Sequence, residues 1–554
     1  MAIARVLRLL RTARHLRAEQ VAYRLYYRLG RRLVQKRALA PVGEVVRRPW
    51  TNAWVAPLIG PRSHFEPGVF EFLGERGALA DLQGWNSPGK AKLWLYNLHY
   101  LDDLCASDAE ARLDQHAWLI EHWIDENPPL FGNGWEPYTL SLRIVNLVKW
   151  FARQPEVSSK WLNSLASQAQ ALVAQEERHI LANHLFVNGK ALVFAGALLG
   201  GEIGERCLRH GLAILDREIK EQFLPDGGHF ELSPMYHATL LWDMCDLVNL
   251  ARCSGVPEFA GRVGEWLKVI QRGLAWLDAM SHPDGEVSFF NDAAFGIAPS
   301  PTAIKAYAGT LGGFPEPLLT EVSGVLHLKA TGYVVVGLAN GGKALLDVAK
   351  VGPSYQPGHA HADTLSFELS LYGQRVLVNS GTSQYGEDAE RQRQRSTAAH
   401  NTLEVNGENS SEVWAGFRVA RRARPTNLKI WREFSGDGER LLVCCAHDGY
   451  KRLPGKPVHQ RQWEFTATGL RIVDSLSGLF RKAVSRFYLH PDIQISGNQV
   501  MLLPDGNRIA LSVAGGQVQI IPATWHPEFG VSQKTHCIEI DFDSAVVTAD
   551  FSWK

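Results

Sequence analysis

Two segments of the sequence place amide, imidazole and phenol groups where they could act as acids or bases. Asn183 and His184 lie in ILANHLFVNGKAL, where Asn183 is predicted to cap a helix and leave His184 in a cleft. In DGGHFELSPMYH, a Gly-rich turn leads into a helix with Tyr236 in its first turn. A helix N-terminus is partially positive and favours a phenolate. A structural interpretation, with a buried histidine and an aromatic wall residue, stays open.

Two further segments combine histidines with charged groups. GHAHADTLSFEL is predicted to open a β-strand, on which residues two apart share a face. His359, His361 and Asp363 would then point the same way, as metal ligands or catalytic groups do. Purely structural hydrogen bonding is the alternative. Arg393 and Arg395 precede STAAHNTLEVNG, and arginines can hold a carboxylate or sulfate with two hydrogen bonds.

Helices must position the first two segments. From about residue 93 to residue 311, apolar residues recur at intervals of three and four. The stronger segments lie near 160–180, 184–199, 202–221, 233–253 and 258–279, separated by short Gly, Pro and Asp stops. Sequential antiparallel helices of this kind predict an α/α toroid or solenoid.

The apolar period changes to two from about Val322 onward, which is typical of β-strands. Examples are 333–336, 365–369 and 402–405, and Asn-Gly and Asp-Gly pairs supply hairpin turns. A single core rarely exceeds about 250–300 residues. We therefore expect a multidomain α + β protein: an N-terminal α/α toroid followed by a C-terminal antiparallel β-sandwich. The expected divisions are a basic helix and lead-in at 1–90, the toroid at 91–320 and the sandwich at 321–554.

Composition excludes several classes of protein. The chain has 58 Lys and Arg against 57 Asp and Glu, so its formal charge of +1 offers no global attraction for nucleic acid or membrane. Neither a phosphate-binding P-loop, a His-Glu-x-x-His motif nor a dinucleotide-binding glycine motif is present. The seven cysteines include no CxxC pair, which argues against a disulfide framework or a thiolate zinc site.

The first 35 residues alternate apolar residues with many arginines. They could form an amphipathic helix on an anionic membrane, dock a partner, or pack as a basic surface helix on the protein itself. No apolar stretch is long enough for a signal sequence or a transmembrane helix. We expect a cytoplasmic protein, and a periplasmic location stays open.

The order of six segments resembles the heparinase II/III-like polysaccharide lyases over roughly residues 90–415. These are NLHYLDDL, WEPYTLSLRI, NHLFVNGKAL, DGGHFELSPMYH, GHAHADTLSFEL and STAAHNTLEVNG, of which the His-x-His-Ala-Asp and Ala-His-Asn-Thr parts are the most specific. The resemblance implies an α/α toroid packed on β-sandwich layers. It also implies cleavage of an acidic polysaccharide, of heparan, heparin or alginate type or from a bacterial surface, by β-elimination.

The resemblance also implies roles for individual residues. Asn183 and His184 would neutralise the uronic acid carboxylate, Tyr236 would act as acid and also as base, and His359 would be a second base or neutraliser. Substrate-binding positions would be Arg393, Arg395, Tyr385, Glu136 and His229. A structural zinc would be held by His361, Asn379 and His400. Asn379 departs from the expected Asp, and a neutral amide is a poorer zinc ligand, which leaves metal binding open.

Two other functions fit the sequence. The toroid fold also hosts glycoside hydrolases, and a hydrolytic carboxylate pair could come from Asp226, Glu231 and Asp363. A non-catalytic glycan-binding protein of polysaccharide assembly could keep the same scaffold. Only a lyase would release an unsaturated uronate, which absorbs ultraviolet light.

Overall fold

The computed structural model describes residues 2–57, 60, 62–81, 84–312, 324–338, 341–435, 438–497 and 499–553. Helices dominate the N-terminal region, and antiparallel sheets make up the C-terminal region, as the change of apolar period predicted. The expected boundary at 320/321 lies outside the described residues. Among those that are described, no helix combines the length and the apolar character needed to cross a bilayer.

The helices reproduce the segments predicted from the apolar period. They are α1 (Ala2–Ala13), α2 (Ala18–Leu29), α3 (Arg31–Ala38), α4 (Lys92–Tyr100), α5 (Leu113–Glu126), α6 (Pro137–Arg153), α7 (Ser159–Ala174), α8 (Ala182–Leu198), α9 (Gly201–Gln222), α10 (Pro234–Ser254), α11 (Val263–Met280), α12 (Pro301–Thr310) and α13 (Ala389–Gln394). The basic N-terminal segment differs from the prediction, because it forms three helices instead of one. The first break is fixed by the Gln20 side chain, whose Oε1 accepts a hydrogen bond from the backbone N–H of Arg17 at 2.9 Å.

Helix α8 lies at the centre of the helical region and packs against α6 and α9. Every residue of α8 except His184 is buried, as expected for a helix that is apolar around its whole circumference. Glycines allow α8 and α9 to approach each other closely. A Cβ on Gly211 of α9 would lie only 2.8 Å from the carbonyl oxygen of Gly189 in α8. His184 is thus the one side chain of α8 with access to a cleft.

The strands form three larger antiparallel sheets and two small ones. In chain order they are β1 (His64–Glu66), β2 (Val69–Phe72), β3 (Glu75–Ala78), β4 (Gly324–Leu328), β5 (Tyr333–Gly337), β6 (Lys343–Asp347), β7 (Phe367–Leu371), β8 (Gln374–Leu377), β9 (Leu403–Val405), β10 (Val413–Trp414), β11 (Arg418–Val419), β12 (Pro425–Ser435), β13 (Gly438–His447), β14 (Val458–Thr466), β15 (Gly469–Ser477), β16 (Ala483–Tyr488), β17 (Gln494–Ser496), β18 (Val500–Leu502), β19 (Arg508–Ala514), β20 (Gln517–Trp525), β21 (Gln533–Phe542) and β22 (Val546–Trp553). The larger sheets have the orders β4-β5-β6-β7-β8, β12-β13-β14-β15-β22-β19-β18-β17 and β20-β21-β16-β9.

The hydrophobic cores show how the two regions are joined. Val336, Trp463 and Ile540 come from the three larger sheets and belong to one buried cluster. The core of the helical region in turn includes Trp525 and Phe529 from the C-terminal region. The two regions therefore pack directly on each other, which brings loops from both together.

The predicted strand through His359, His361 and Asp363 is wrong. Residues 351–366 form turns and irregular backbone, and the strand of this segment, β7, begins only at Phe367. Loop geometry is fixed by side chains from elsewhere, since Asn291 Oδ1 accepts a hydrogen bond from the His361 backbone at 3.1 Å. The three side chains therefore need not share a face.

Candidate active site

Strained backbone surrounds a cleft that is defined by four partly exposed side chains where helices meet loops of the C-terminal region: His184, Tyr236, His359 and Tyr385. Leu181 and Ala182 have φ of 66° and 56°, Leu232 has φ of 61° and Asn291 has φ of 59°. Residues with a side chain rarely adopt this left-handed conformation, and where they do the strain tends to mark functional sites. In the sequence, each of these residues is either next to a polar residue of the cleft or separated from one by a single residue.

Asn183 is held by a carboxylate and does not cap α8 as predicted, because the N-cap position is Leu181. Its Nδ2 donates to Glu231 Oε1 at 2.8 Å, and its backbone N–H points at the same oxygen at 3.3 Å. Burial raises the pKa of the Glu231 carboxyl to about 7, even though Asn183 donates to it. The Glu231 carboxyl is therefore about half protonated at neutral pH and increasingly protonated below it.

His184 carries a carboxylate partner of its own. Its Nδ1 lies 2.9 Å from Glu177 Oε1, and its ring packs on Tyr138 with 4.7 Å between centroids. Burial alone would lower the pKa of His184, but the Glu177 carboxylate outweighs it and raises that pKa. His184 is thus suited to carry positive charge in the cleft.

Tyr236 lies in the first turn of α10, as predicted, where Ser233 is the N-cap. Its hydroxyl is 2.9 Å from the Tyr385 hydroxyl, and its ring meets the His359 ring edge-on with 3.8 Å between centroids. Burial raises the pKa of Tyr236 well above its ordinary value. This effect opposes the easier ionisation expected at a helix N-terminus, so the side chain is a phenol before substrate binds.

His359 and Glu231 face each other with unsatisfied polar atoms. His359 Nδ1 lies 3.9 Å from Glu231 Oε2 and 3.8 Å from Asp292 Oδ2, and neither Nδ1 nor Oε2 has a hydrogen-bond partner. Burial lowers the pKa of His359 to about 3, so its imidazole is neutral at physiological pH. Buried groups without partners are rare and often belong to functional sites.

Asp292 forms the base of the cleft together with a buried arginine. Arg391 Nη2 donates to Asp292 Oδ2 at 2.7 Å, and Nη1 donates to Oδ1. Burial alone would raise the pKa of Asp292, but the Arg391 guanidinium outweighs it and lowers that pKa. Asp292 therefore stays ionised, and its Oδ1 also lies 2.8 Å from His361 Nε2.

A candidate metal centre lies behind Asp292. His361, Asp363 and His400 each offer one ligand atom, and these three atoms all lie within 4.8 Å of one another. His361 Nε2 bonds to Asp292, and His400 Nδ1 lies 2.7 Å from the Ser396 carbonyl oxygen, so both of these nitrogens must carry hydrogen. The remaining nitrogens, His361 Nδ1 and His400 Nε2, then face each other at 3.0 Å with lone pairs. Such a pair requires a shared proton or a cation between the rings.

Asp363 supplies a carboxylate beside His361 and His400, whereas the sequence analysis named Asn379 as the third ligand. Both ends of the Asn379 amide hold the main chain: Nδ2 donates to the Phe289 carbonyl at 2.9 Å, and Oδ1 accepts from the Asn401 N–H at 3.0 Å. A carboxylate is also the better zinc ligand. The carboxylate that is missing at position 379 is therefore available from Asp363.

The remaining predicted binding residues differ in their access to the cleft. Tyr385 lines it beside Tyr236. Glu136 is partly exposed and accepts hydrogen bonds from Lys92 and Tyr96. His229 is buried against Gln222, with 2.9 Å between His229 Nε2 and Gln222 Oε1, which does not fit a substrate contact.

The two predicted arginines are occupied by other partners. Arg395 is fully buried and donates to the carbonyls of Ala360, Ala415 and Gly416, so it has a structural position. Arg393 is partly exposed and pairs with Glu390 at 2.6 Å. Neither arginine is free to hold an acidic group at the cleft.

Sequence reasoning missed Asp292, Arg391, Glu177 and Tyr138. Arg391 was within reach, because Arg391 and Arg395 are four residues apart and share one face of a helix. Asp292 and Glu177 carried no motif that could have marked them.

Comparison with known proteins places the fold and the family. Among solved structures, a heparinase III matches this chain at 18% identity with a TM-score of 0.67. The match covers 85% of this chain and 79% of the heparinase III chain. The heparan sulfate lyase HepC from Pedobacter heparinus matches at 17% identity and a TM-score of 0.53, covering 88% of this chain and 81% of its own. Both matches therefore show that this chain has a heparinase-like fold.

Two family models match along most of the chain: Heparinase II/III N-terminus over residues 105–317, and Heparinase II/III-like, C-terminal, over residues 321–554. The chain belongs to the heparinase II/III family, as its motif order indicated. A heparin-sulfate lyase of Bacteroides stercoris is 26% identical over 338 residues, which are 57% of this chain and 47% of that protein. One from Pedobacter heparinus is also 26% identical, over 53% of this chain and 48% of its own length. The chain thus spans about half the length of these curated relatives.

Proposed function

We propose that this chain is a polysaccharide lyase that cleaves a uronic-acid-containing polysaccharide by β-elimination. The observation that carries the proposal is the convergence of His184, Glu231, Tyr236 and His359 on one cleft. Together they supply an imidazole of raised pKa, a carboxyl that is about half protonated at neutral pH, a phenol and a neutral imidazole. Family membership and the names of the relatives support the same reaction.

In β-elimination the proton at C5 of the uronic acid is removed and the 4-O glycosidic bond breaks. That proton is a very weak acid unless the neighbouring carboxylate is neutralised, because charge accumulates on the carboxylate as the proton leaves. The enzyme must also supply a base for C5 and an acid for the leaving oxygen.

Neutralisation of the substrate carboxylate falls to Asn183 and His184 in this proposal. Glu177 favours the cationic form of His184, and Asn183 has a second amide N–H beyond the one given to Glu231. Glu231 adds to this environment because its carboxyl, when protonated, brings no negative charge near an anionic substrate. The structure suggests this supporting role for Glu231, which the sequence analysis had considered only for hydrolysis.

Proton transfer falls to Tyr236 and His359. Burial keeps the Tyr236 phenol protonated, so it carries the proton that the leaving oxygen needs, and the unprotonated imidazole of His359 has a nitrogen lone pair that can accept a proton. The low pKa of His359 argues against the alternative role of cationic neutraliser. Tyr236 could act as the base only after its phenol proton had been transferred to His359.

The substrate class is an acidic polysaccharide of heparan or heparin type, with alginate-like and bacterial surface polymers as further members. The relatives named heparin-sulfate lyase support the first choice. The raised pKa of His184 and the partly protonated carboxyl of Glu231 suit any uronic acid.

We also propose a structural zinc held by His361, Asp363 and His400. The two facing imidazole lone pairs and the nearby carboxylate fit the ligand preferences of zinc. A bound zinc would link the loop before β7 to the segment before β9 and so fix one wall of the cleft. The residues that transfer protons lie outside this ligand set.

For the architecture, we propose that the helices within 91–320 close into an α/α toroid and that the sheets within 321–554 stack as a β-sandwich, with residues 1–90 as a lead-in. The successive packing of α6, α8 and α9 supports the toroid, and the core shared by the larger sheets supports the sandwich.

A hydrolase is less well supported. Asp226 is used to hold the turn at Ala330 and Thr331, and Asp363 lies in the histidine cluster. The carboxylate near Glu231 is Asp292, which is buried and paired with Arg391. A hydrolytic pair needs two carboxyl groups that both reach the substrate.

Incubation of the pure protein with heparan sulfate, heparin and alginate, followed by ultraviolet absorbance and reducing-end assays, tests the proposal. A lyase raises both signals together. New reducing ends without absorbance would indicate a hydrolase, and binding without either signal would indicate a non-catalytic glycan-binding protein.

A further inference from the structure

The N-terminal helices expose an unusual share of apolar surface. Among the described residues, half of the large apolar side chains that are exposed lie between residues 6 and 39. They are Val6, Leu7, Leu9, Leu10, Val21, Leu25, Leu29, Leu33 and Leu39. Large apolar groups concentrated in one short segment mark an interaction site more often than scattered ones do.

Helix α1 turns its polar side toward the protein. Thr12 Oγ1 accepts a hydrogen bond from Trp414 Nε1 at 3.2 Å, and Arg11 lies 3.8 Å from the Glu412 carboxylate. At 3.6 residues per turn, Leu7 and Leu10 lie on a different side of the helix from Thr12. Their exposed fractions of 44% and 61% show that this apolar side faces solvent.

Helix α2 repeats the arrangement. Its inner side is anchored by buried Gln20, whose Nε2 donates to the Ile180 carbonyl at 3.1 Å. Val21, Leu25 and Leu29 recur every four residues on the outer side, and Leu29 is 81% exposed. Both helices are therefore fixed to the protein by one side and present apolar side chains on the other.

Positive charge is concentrated in the same segment. Residues 1–38 contain ten arginines and one lysine but a single acidic residue, Glu19, which gives the segment a formal charge of +10. The whole chain has a formal charge of only +1. The rest of the chain is therefore net acidic.

We propose that α1–α3 dock the protein on an anionic lipid bilayer. Leucines with exposed sides enter the interface between headgroups and acyl chains, while the arginines bind anionic headgroups, and both contributions strengthen such binding. A nucleic acid would bind the arginines but would make no favourable contact with the exposed leucines. The exposed leucines and the arginines together favour a bilayer over a protein partner, because the interface of an anionic bilayer binds apolar side chains and cations at the same time.

Flotation of the full-length protein with vesicles tests this docking. Vesicles of phosphatidylcholine alone are compared with an equimolar mixture of phosphatidylcholine and phosphatidylglycerol. The wild type should float with the anionic vesicles and much less with the neutral ones. The double variant L7E/L10E should bind anionic vesicles at least about tenfold more weakly.

A matched control introduces the same charges elsewhere. Phe434 and Leu479 are each 78% exposed, so F434E/L479E should bind as the wild type does. A second variant, R5Q/R8Q, keeps the leucines and should also bind more weakly. Thermal melts should be unchanged in all three, since every substituted residue is exposed.

Several outcomes would overturn the proposal. They are failure of the wild type to float, equal binding of L7E/L10E and the control, equal binding to neutral and anionic vesicles, and tight binding of duplex DNA without any binding of vesicles.

Discussion

The imidazole of His359 meets the phenol ring of Tyr236 edge-on, at an interplanar angle of 86° and a centroid separation of 3.8 Å. One ring comes from the helical region and the other from the loop before β7, so the contact exists only when both regions are packed together. It pairs a protonated phenol with an unprotonated imidazole, so the site holds one group that can donate a proton and one that can accept a proton.

Replacement of Tyr236 by Phe should abolish most activity with little loss of stability. Among the described residues the hydroxyl bonds only to Tyr385, so the free energy of unfolding should fall by no more than about 1–2 kcal/mol. Turnover should fall at least about 10²-fold with little change in KM, because the proton moves only in the transition state. Tyr385→Phe removes the same hydrogen bond and serves as the control, with turnover within about tenfold of wild type. Full activity of Tyr236→Phe would refute the assignment.

Replacement of His359 by Ala should leave no measurable product. In the part of the chain that the structure describes, its Nδ1 has no hydrogen-bond partner, so the variant loses packing and the longer approaches to Glu231 and Asp292 but no hydrogen bond at Nδ1. His229→Ala is a suitable comparison, because His229 is also a buried histidine but its Nε2 is bonded to Gln222, which does not fit a substrate contact. That variant should lose stability and keep its turnover per folded molecule. The same behaviour from His359→Ala would show that His359 is structural.

Glu231 should make stability depend on pH. Its pKa of about 7 in the folded protein lies above the ordinary value of 4.5, so its contribution is fully present below about 4.5 and is lost as pH rises through about 7. Glu231→Gln stays neutral and can still accept from Asn183. The variant should therefore gain stability relative to wild type between these pH values, as measured by denaturant unfolding. A constant difference in stability across this range would contradict the raised pKa.

The proposed zinc should be lost when Asp363 is replaced by Asn. Elemental analysis of the wild type should find near one zinc per chain, and chelation should lower Tm by several degrees or more, because a bound ion stabilises by mass action. Asn379→Ser removes two hydrogen bonds to the main chain and should lower stability while zinc content stays unchanged. Loss of zinc from Asn379→Ser but not from Asp363→Asn would restore the ligand set inferred from the sequence.

Replacement of Arg391 by Leu should be far more damaging than replacement of Arg393 by Ala. Arg391 compensates the buried charge of Asp292, and removal of one partner of a buried ion pair costs about 3–5 kcal/mol. Arg393 is partly exposed, and its pair with Glu390 should contribute no more than about 1 kcal/mol. Chemical denaturation of both variants measures the contrast, and similar losses would contradict it.

The sequence predicted the helices well because a long apolar period leaves little choice of structure. Helix α8 is an example: its apolar residues require burial on all sides, and that requirement isolates His184 at its start. The pairing of His361 with His400 also followed from motif order, through the family resemblance.

The loops were harder to predict, since their geometry depends on contacts from distant segments. His359 was assigned to a strand because alternation suits a strand, yet the loop is shaped by Asn291, which has left-handed backbone. Arg393 and Arg395 were selected because they precede the Ala-His-Asn-Thr segment, whereas in the structure Arg391 and Arg395 meet on the carbonyl of Gly416. Asp292 escaped notice because no local pattern distinguishes a carboxylate that binds a distant arginine.

The concentration of positive charge in α1–α3 makes the molecule an electrostatic dipole. An anionic surface within about 10 Å, the screening distance in about 0.1 M salt, exerts a torque that turns the N-terminal helices forward before any contact forms. Arrival is then governed by the arginines and slows as salt is added, whereas departure is governed by the leucines and is less sensitive to salt. Association and dissociation rates should consequently respond to different substitutions within the same 38 residues.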